Sequence, residues 1–177
     1  MRIISGSHKG RRLIAPKKLP VRPTTDMAKE ALFNVLQHQF DFDDLTVIDL
    51  FSGTGNITYE FASRGTKNIY AVDANNHCVQ YISKTSKALD FDITVLKQDV
   101  FRYLERTSLK ADVIFADPPY ELSQADLSRL VQLVFEKELL LPEGQLILEH
   151  TPQRDFSTFE PFVQSRKYGS SVFSFFE

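Results

Sequence analysis

The sequence of 177 residues contains one cysteine, no tryptophan, four histidines and no long hydrophobic run. Because Cys78 is alone, an intrachain disulfide and a cysteine zinc cluster are excluded. The histidines lack the spacing of metal ligands, so we expect no metal site. The apolar runs are too short for a membrane span or a signal peptide, and we therefore expect a cytoplasmic protein without membrane contacts.

The rest of the composition is that of a folded domain. Hydrophobic residues make up 42% of the chain and charged residues 25%, and 15 phenylalanines are available for a core. The length corresponds to one ordinary domain with room for a short appendage, and this size suits a monomer.

Charge is distributed unevenly along the chain. Residues 1–25 contain seven of the 21 lysines and arginines and none of the 23 acidic residues. The sequence therefore divides into a basic arm (1–25) and an acidic main domain (26–177). Such an arm favours a polyanionic partner, although a solvated basic tail would show the same pattern.

Within the arm, two short β-type runs, Arg2–Gly6 and Arg11–Ala15, flank a turn-like segment. This pattern predicts a small β-hairpin with its basic side chains exposed. A helix is then predicted to begin after Pro23 and to end near Phe40.

From Leu45 onward, β-type and helical segments alternate. The predicted strands are 46–51, 68–73, 93–97, 111–116, 145–149, 159–166 and 171–176, and the predicted helices between them are 57–63, 76–88, 101–106 and 123–137. This alternation predicts an α/β fold with a mostly parallel, seven-stranded sheet. Because the last two strands are joined by only a few residues, they are expected to form an antiparallel pair at one edge.

The ends of the first five strands all carry an acidic residue. In an open parallel sheet, ligands bind beyond the carboxyl ends of the strands. The residues at or just after these ends are Asp49, Asp73, Asp99, Asp117 and Glu149. Burial alone would not place carboxylates there, so this edge is the predicted ligand site.

A glycine turn follows the first strand. Gly53 and Gly55 permit a tight turn and a close approach of the backbone to a ligand. A dinucleotide site would require a third glycine where Thr58 stands, and the Asp49 carboxylate would repel a pyrophosphate. A cationic ligand without phosphate, such as S-adenosylmethionine, suits Asp49 better.

Two further acidic residues are candidates for the same ligand. Asp73 lies at a distance beyond the glycines that suits a contact with ribose hydroxyls. Since a dinucleotide also has a ribose there, this spacing does not distinguish the two ligands. Asp99 could accept a hydrogen bond from an adenine amino group, or it could cap the helix that follows.

The motif Asp117-Pro118-Pro119-Tyr120 follows the fourth strand. The prolines stiffen the backbone and lack N–H groups, so the Asp117 carboxylate and the Pro118 carbonyl leave an edge rich in acceptors. Such an edge can hold both hydrogens of an exocyclic amino group while its lone pair faces an electrophile. Tyr120 offers a flat surface on which a base can stack. The alternative is a rigid loop with a core tyrosine.

With these motifs, the sequence resembles the class I S-adenosylmethionine-dependent methyltransferases that modify amino groups. It resembles more closely the RsmD-type 16S rRNA guanine-N2 methyltransferases. The residues that carry this resemblance run in the family's order over nearly the whole chain and lie at 2–6, 9–13, 22–26, 30–34, 49–55, 63–65, 117–120 and 168–169.

The resemblance implies a Rossmann-like fold, methyl transfer to N2 of a guanine, and 16S rRNA or a small-subunit assembly intermediate as the partner. It adds Phe51 to the expected cofactor-binding residues. It assigns RNA contacts to the basic residues of the arm, which are Arg11, Arg12, Lys17, Lys18 and Arg22. Met27 and Lys29 stand where the family often has arginine, and Asp73 where glutamate is common, so the roles of Met27 and Lys29 stay open.

Four other functions remain open from the residues. A DNA adenine-N6 methyltransferase would use the same acceptor motif, although 177 residues leave little room for a domain that reads DNA sequence. A protein glutamine methyltransferase commonly has asparagine in place of Asp117. An RNA-binding module with an inactive pocket would fail to bind S-adenosylmethionine. A nicotinamide-dependent oxidoreductase is disfavoured by Asp49 and Thr58.

Overall fold

The structure is a computed structural model that describes residues 1–16, 19 and 24–177. Three of the predicted RNA-binding residues, Lys17, Lys18 and Arg22, lie outside the described residues. Within the described part of the chain, no helix has the length and apolar character that a membrane crossing requires.

Strands and helices alternate in the order that the sequence predicts. The helices are α1 (Asp26–Leu36), α2 (Asn56–Ser63), α3 (Asn76–Ala88), α4 (Val100–Arg106) and α5 (Gln124–Glu136), with a 3₁₀ turn at Phe42–Asp44. The strands are β1 (Thr46–Leu50), β2 (Asn68–Asp73), β3 (Ile93–Lys97), β4 (Ala111–Ala116), β5 (Leu140–His150), β6 (Phe162–Tyr168) and β7 (Ser171–Phe176).

The seven strands form one sheet in the order β3-β2-β1-β4-β5-β7-β6. Strands β1 to β5 are parallel, whereas β7 pairs antiparallel with both β5 and β6. The mostly parallel sheet with an antiparallel pair at one edge is thereby confirmed. This topology brings the carboxyl ends of β1, β2, β4 and β5 to one edge.

Helices cover both faces of the sheet, which explains why its central strands are apolar along their length. In β1, Ile48 and Leu50 pack in a cluster with residues of α4 and α5, whereas Val47 packs with α1 and α2. Asp49 alternates with Ile48 and Leu50, so its side chain lies on the α2 face, where Thr58 donates a hydrogen bond to it.

Three element boundaries differ from the predictions by three residues or more. Helix α1 ends at Leu36 rather than near Phe40, because residues 37–39 form a turn. Strand β5 begins at Leu140, five residues before the predicted start, since residues 142–144 form a bulge within the strand: Glu143 has a φ of 64° and the register against β4 shifts there. Strand β6 begins at Phe162, three residues late, because Phe159 lies in the preceding bend.

The predicted N-terminal hairpin is not confirmed. Arg2 and Arg12 form a single antiparallel bridge flanked by backbone hydrogen bonds, in which Ile3 N donates to Arg11 O at 2.9 Å and Leu13 N donates to Met1 O at 3.0 Å, but neither run forms a strand. The arm also bonds to the end of α2: Ser7 N donates to Ser63 O at 2.7 Å, and Ser63 Oγ donates to Ser5 O at 2.6 Å. Beyond the bridge, the main domain therefore satisfies backbone groups of the arm at Ser5 and Ser7.

A buried ion cluster fixes the arm to the main domain. Glu60 of α2 is fully buried, and its carboxylate accepts hydrogen bonds from Ile4 N at 2.8 Å and Ser5 N at 3.0 Å. Arg64 Nε donates to the same carboxylate at 2.9 Å, and Lys29 Nζ lies 3.4 Å from it. Glu60 therefore organises the arm and does not line the ligand cavity described below.

Lys29 completes this cluster from α1. Its ammonium group donates to Arg2 O at 2.6 Å and to Asn56 Oδ1 at 2.8 Å. Burial lowers the pKa of Lys29, and the nearby Glu60 carboxylate opposes that effect. The side chain is 1% exposed, so it cannot reach an external ligand, and the open question about its role is answered: it joins the arm, α1 and α2.

We expect Lys29→Met to destabilise the protein by about 3 kcal/mol, because it leaves part of the Glu60 charge and two buried acceptors without their donor. Urea unfolding measures this loss. The matched control is Lys110→Met, which breaks the exposed Lys110–Glu138 pair (3.8 Å) and should cost at most about 0.5 kcal/mol. Equal losses in the two variants would contradict a structural role for the buried cluster.

Candidate functional site

A cavity of about 710 Å³ opens at the carboxyl edge of the sheet. Its walls come from the residues that follow β1, β2, β3 and β4. Nine of the ten predicted cofactor-binding and catalytic residues line it, namely Asp49, Phe51, Gly53, Asp73, Asp99, Asp117, Pro118, Pro119 and Tyr120. The tenth, Gly55, completes the turn that carries Gly53. The structure thus brings together residues that are 71 positions apart in the chain, from Asp49 to Tyr120.

The turn after β1 depends on Gly55. This residue caps the N-terminus of α2 with a φ of 81°, which is the left-handed region that favours glycine. A Cβ atom at this position would lie 2.7 Å from Cζ of Tyr59, whose ring is buried beneath the turn. A larger residue here would therefore be strained by the backbone conformation and would contact the Tyr59 ring.

Asp49 lies fully inside the protein at the base of the cavity. Thr58 Oγ1 donates a short hydrogen bond to its carboxylate. The pKa of Asp49 is raised to about 7, chiefly by burial; the Thr58 hydrogen bond opposes this shift and the Asp73 carboxylate adds to it. Thr58, which argued against a dinucleotide site, is therefore the residue that orients this carboxylate.

Asp73 holds the glycine turn from the end of β2. Its two carboxylate oxygens accept hydrogen bonds from Gly53 N at 2.8 Å and from Asn75 N at 2.7 Å. Each oxygen has a second lone pair, so Asp73 retains the capacity to accept a hydrogen bond from a ligand hydroxyl in the cavity.

Asp99 caps α4 and also lines the cavity. Its carboxylate accepts a hydrogen bond from Arg102 N at 3.0 Å. The capping alternative considered from the sequence is therefore confirmed. A contact from Asp99 to an adenine amino group stays a prediction.

Asp117 lies at the end of β4, where the chain turns through Pro118 and Pro119. Burial raises the pKa of Asp117 well above its usual range, and the nearby carboxylates of Glu149 and Asp49 raise it further. Leu122 N donates to Pro119 O at 3.1 Å, which holds the loop in place. Tyr120 is 58% exposed at the rim of the cavity, so it is not a core tyrosine and its ring can receive a planar ligand.

Glu149, near the end of β5, is buried close to Asp117. Thr24 Oγ1 donates to one carboxylate oxygen at 2.6 Å, and Ser171 Oγ donates to the other at 2.7 Å. Its neighbour His150 packs inward: the Nε2 atom is 2.7 Å from Ser174 Oγ, and the ring contacts Phe156 edge to face. His150 therefore has a structural role and does not line the cavity.

Sequence reasoning missed several residues that line the cavity, including Thr24, Cys78 and Phe101. Cys78 and Phe101 lie in the first turns of α3 and α4, the helices that follow Asp73 at the end of β2 and Asp99 just beyond β3. That position is the signal that could have identified them. Burial raises the pKa of Cys78 to about 11, so its thiol is protonated and serves as an apolar wall.

The arm lies next to the cavity. Thr54 Oγ1, on the cavity wall, is 3.8 Å from Met1 Sδ. Arg11 and Arg12 are exposed, whereas Arg2 pairs with Asp26 at 3.2 Å. Among the described residues, no group of three or more His, Cys, Asp or Glu side chains is arranged to hold a metal ion.

The family described as "Conserved hypothetical protein 95" matches residues 1–177 of the sequence. The chain belongs to this family. The resemblance to RsmD-type methyltransferases that the motifs indicated is confirmed by this match and by the names of its relatives.

Two relatives cover most of the chain. The Bacillus subtilis (strain 168) protein named "Putative rRNA methyltransferase YlbH" is 34% identical over 173 residues, which are 94% of this chain and 92% of the relative. The Escherichia coli (strain K12) protein named "Ribosomal RNA small subunit methyltransferase D" is 26% identical over 159 residues, which are 89% of this chain and 78% of the relative.

Solved structures share the fold. The Thermus thermophilus hypothetical protein TTHA0928 superposes with a TM-score of 0.87 at 23% identity and covers 100% of this chain and 99% of its own. The T. thermophilus 16S rRNA N2 G1207 methyltransferase (RsmC), solved with AdoMet and guanosine, has a TM-score of 0.71 at 23% identity over 90% of this chain and 45% of its own. The class I methyltransferase fold is thereby confirmed.

Stability without ligand should depend on the ionisation of Asp49. Because folding raises its pKa from 3.8 to about 7, ionisation opposes folding, and stability falls as pH rises through that window. Asp49→Asn cannot ionise but can still accept the Thr58 hydrogen bond, so it should lose less stability than the native protein between about pH 4 and about pH 8.

Urea unfolding across this pH range measures the difference. The control is Asp92→Asn, which removes an exposed carboxyl group outside the cavity and should follow the native curve. Parallel curves for Asp49→Asn and the native protein would contradict the raised pKa.

Proposed function

We propose that this protein transfers a methyl group from S-adenosylmethionine to the exocyclic N2 of a guanine in 16S rRNA. One observation carries the proposal: the Asp117-Pro118-Pro119-Tyr120 loop and the buried Asp49 carboxylate line the same cavity. Membership of the family and the names of its relatives, rRNA methyltransferase and small-subunit methyltransferase D, support the same reaction.

The electrostatics of the cavity fit a cationic ligand. Burial raises the pKa values of Asp49 and Asp117, and neighbouring carboxylates (Asp73 for Asp49, Glu149 and Asp49 for Asp117) add to the shift, so a positive charge nearby would favour their ionised forms. S-adenosylmethionine carries a sulfonium and an ammonium group and no phosphate. Asp49 would hold the ammonium end, Asp73 the ribose hydroxyls and Asp99 the adenine amino group, with Phe51 and the Gly53–Gly55 turn forming the wall.

When bound, S-adenosylmethionine supplies an electrophilic methyl group on a positively charged sulfur. The Asp117 carboxylate and the Pro118 carbonyl would accept hydrogen bonds from the two hydrogens of guanine N2. This arrangement turns the nitrogen lone pair towards the methyl group, and Pro119 keeps the loop stiff. Tyr120 would stack on the base after it leaves its RNA stack. Fixing both reactants in this way can contribute on the order of 7–11 kcal/mol.

The transfer would balance as a displacement at the methyl group, in which the N2 lone pair would form the new N–C bond and the electrons of the C–S bond would return to sulfur. The methylated nitrogen would carry an acidic proton, so no separate strong base would be needed. The Asp117 carboxylate, already hydrogen-bonded to that proton, can accept it.

The basic arm would bind the RNA backbone. Arg11 and Arg12 are exposed on the arm, and Lys17, Lys18 and Arg22 belong to the same segment of the sequence. We propose that residues 1–25 contact RNA while residues 26–177 perform the transfer, that the substrate is an assembly intermediate of the small subunit, and that the protein acts in the cytoplasm as a monomer.

Asp117→Ala should lower the turnover number roughly 10²–10³-fold, because it removes an acceptor that positions guanine N2. Affinity for S-adenosylmethionine should change little. Radiolabelled methyl transfer to 16S rRNA measures the first quantity, and calorimetry measures the second. Asp92→Ala, which removes an exposed carboxylate elsewhere, is the control. Retained turnover in Asp117→Ala would remove this residue from the mechanism.

Replacing both Arg11 and Arg12 by alanine should weaken RNA binding and lower the slope of log affinity against log salt by about 2 units. Filter binding at several salt concentrations measures this slope. The control replaces Lys110 and Lys137, two exposed lysines at the opposite edge of the sheet, and should leave the slope unchanged. An unchanged slope in the arginine variant would show that the arm does not contact RNA.

A further inference from the structure

A second groove lies between α1 and the edge strand β6, outside the cofactor cavity. It encloses about 500 Å³ and is lined by Ala31, Asn34, Val35, His38, Gln39, Arg166 and Tyr168. The side chains from α1 recur at helical spacing along its exposed face, and those from β6 alternate along one face of the strand. The reaction proposed above uses none of these residues.

The topology connects this groove to the edge of the sheet that carries the cavity. Strand β7 runs antiparallel to both β5 and β6, so β6 runs in the same direction as β5. Tyr168, at the end of β6, therefore lies at the same edge as Glu149, near the end of β5. Ser171, just beyond that turn, bonds to Glu149, which in turn bonds to Thr24 of the cavity wall.

Helix α1 makes the same connection from its own N-terminus. It begins two residues after Thr24, and Met27 of its first turn lies against the β6–β7 turn: a Cβ atom on Gly169 would be 3.7 Å from Met27 Cε. From Met27 to His38 the helix and its terminal turn extend over about 16 Å. An RNA strand that leaves the cavity could thus follow the protein surface across Met27 into the groove.

The chemistry of the groove suits a nucleic acid. Arg166 supplies a guanidinium group, and its 3.3 Å bond to Gln164 Oε1 uses one of five donors. Tyr168 and His38 supply rings, and the amides of Asn34 and Gln39 both donate and accept hydrogen bonds. None of the described residues that line the groove is acidic. A cation, flat rings and amides are the groups that bind phosphates, stack on bases and contact base edges in single-stranded RNA.

We propose that the α1–β6 groove binds the single-stranded RNA that flanks the target guanine. This inference rests on the proposed function and deepens it, since it names a second contact surface for the same substrate. The exposed face of α1 then lies between two RNA contacts, with the basic arm attached to its N-terminal turn through Arg2–Asp26 and the groove along its other side.

Two adjacent basic residues of β6 provide a matched test. Arg166 lines the groove, whereas Lys167 does not and points to the opposite face of the strand. Arg166→Ala should weaken binding to a 16S rRNA fragment that contains the target loop and lower the salt slope by about 0.7–0.9. Lys167→Ala removes the same charge and should leave the slope within error of the native value. Affinity for S-adenosylmethionine should not change in either variant.

A third variant tests the helix side of the groove. Asn34→Asp places a negative charge in the groove and should weaken RNA binding at low salt. Gln37→Glu, on an exposed α1-flanking residue outside the groove, is its control. Similar binding by Arg166→Ala and Lys167→Ala, or by the two acidic variants, would overturn the proposal.

Two other results can be distinguished from a failure of the groove proposal alone. If the native protein neither binds nor methylates 16S rRNA, the proposed function itself fails. If Arg166→Ala alters self-association in sedimentation experiments and leaves RNA binding intact, the groove is an interface between copies of this chain, and the proposal is overturned.

Discussion

Electrostatic repulsion between carboxylates at one edge of the sheet is the constraint around which the site is built. Parallel strands must end on the same side, so Asp49, Asp73, Asp117 and Glu149 meet there. Burial raises the pKa values of Asp49 and Asp117 in the protein alone. Ionising these buried carboxylates therefore costs free energy in the protein alone, and a positively charged ligand would offset that cost. This is the physical basis for binding a sulfonium compound in preference to a phosphate.

The arm is also linked to this site, although it lies outside the sheet. Glu60 and Lys29 form a buried ion pair, and each of them also forms hydrogen bonds with the backbone of the arm. Lys29 also holds Asn56, which lines the cavity at the start of α2. Displacing the arm would therefore disturb the wall of the cofactor cavity, because separating a buried charge from its partner is strongly destabilising.

Much of the fold was predictable because local patterns determine it. The alternation of apolar runs and capping residues located every strand and helix of the main domain, and the Asp117–Tyr120 motif located a loop that lines the cavity. The errors came from tertiary contacts: residues 142–144 continue β5 because Gly144 fits against β4, and beyond its single bridge the arm bonds to α2 instead of extending as a hairpin.

Sequence by itself determined the acidic residues at the strand ends, the glycine turn and the proline loop, since each is a local consequence of residue type and spacing. Tertiary structure alone decided which polar residues became structural. Thr58, Glu60 and Lys29 are chemically suited to contact a ligand, yet packing turns Thr58 towards Asp49 and buries the other two beneath the arm. The burial of a side chain and the direction in which it points depend on distant parts of the chain, and no local pattern encodes them.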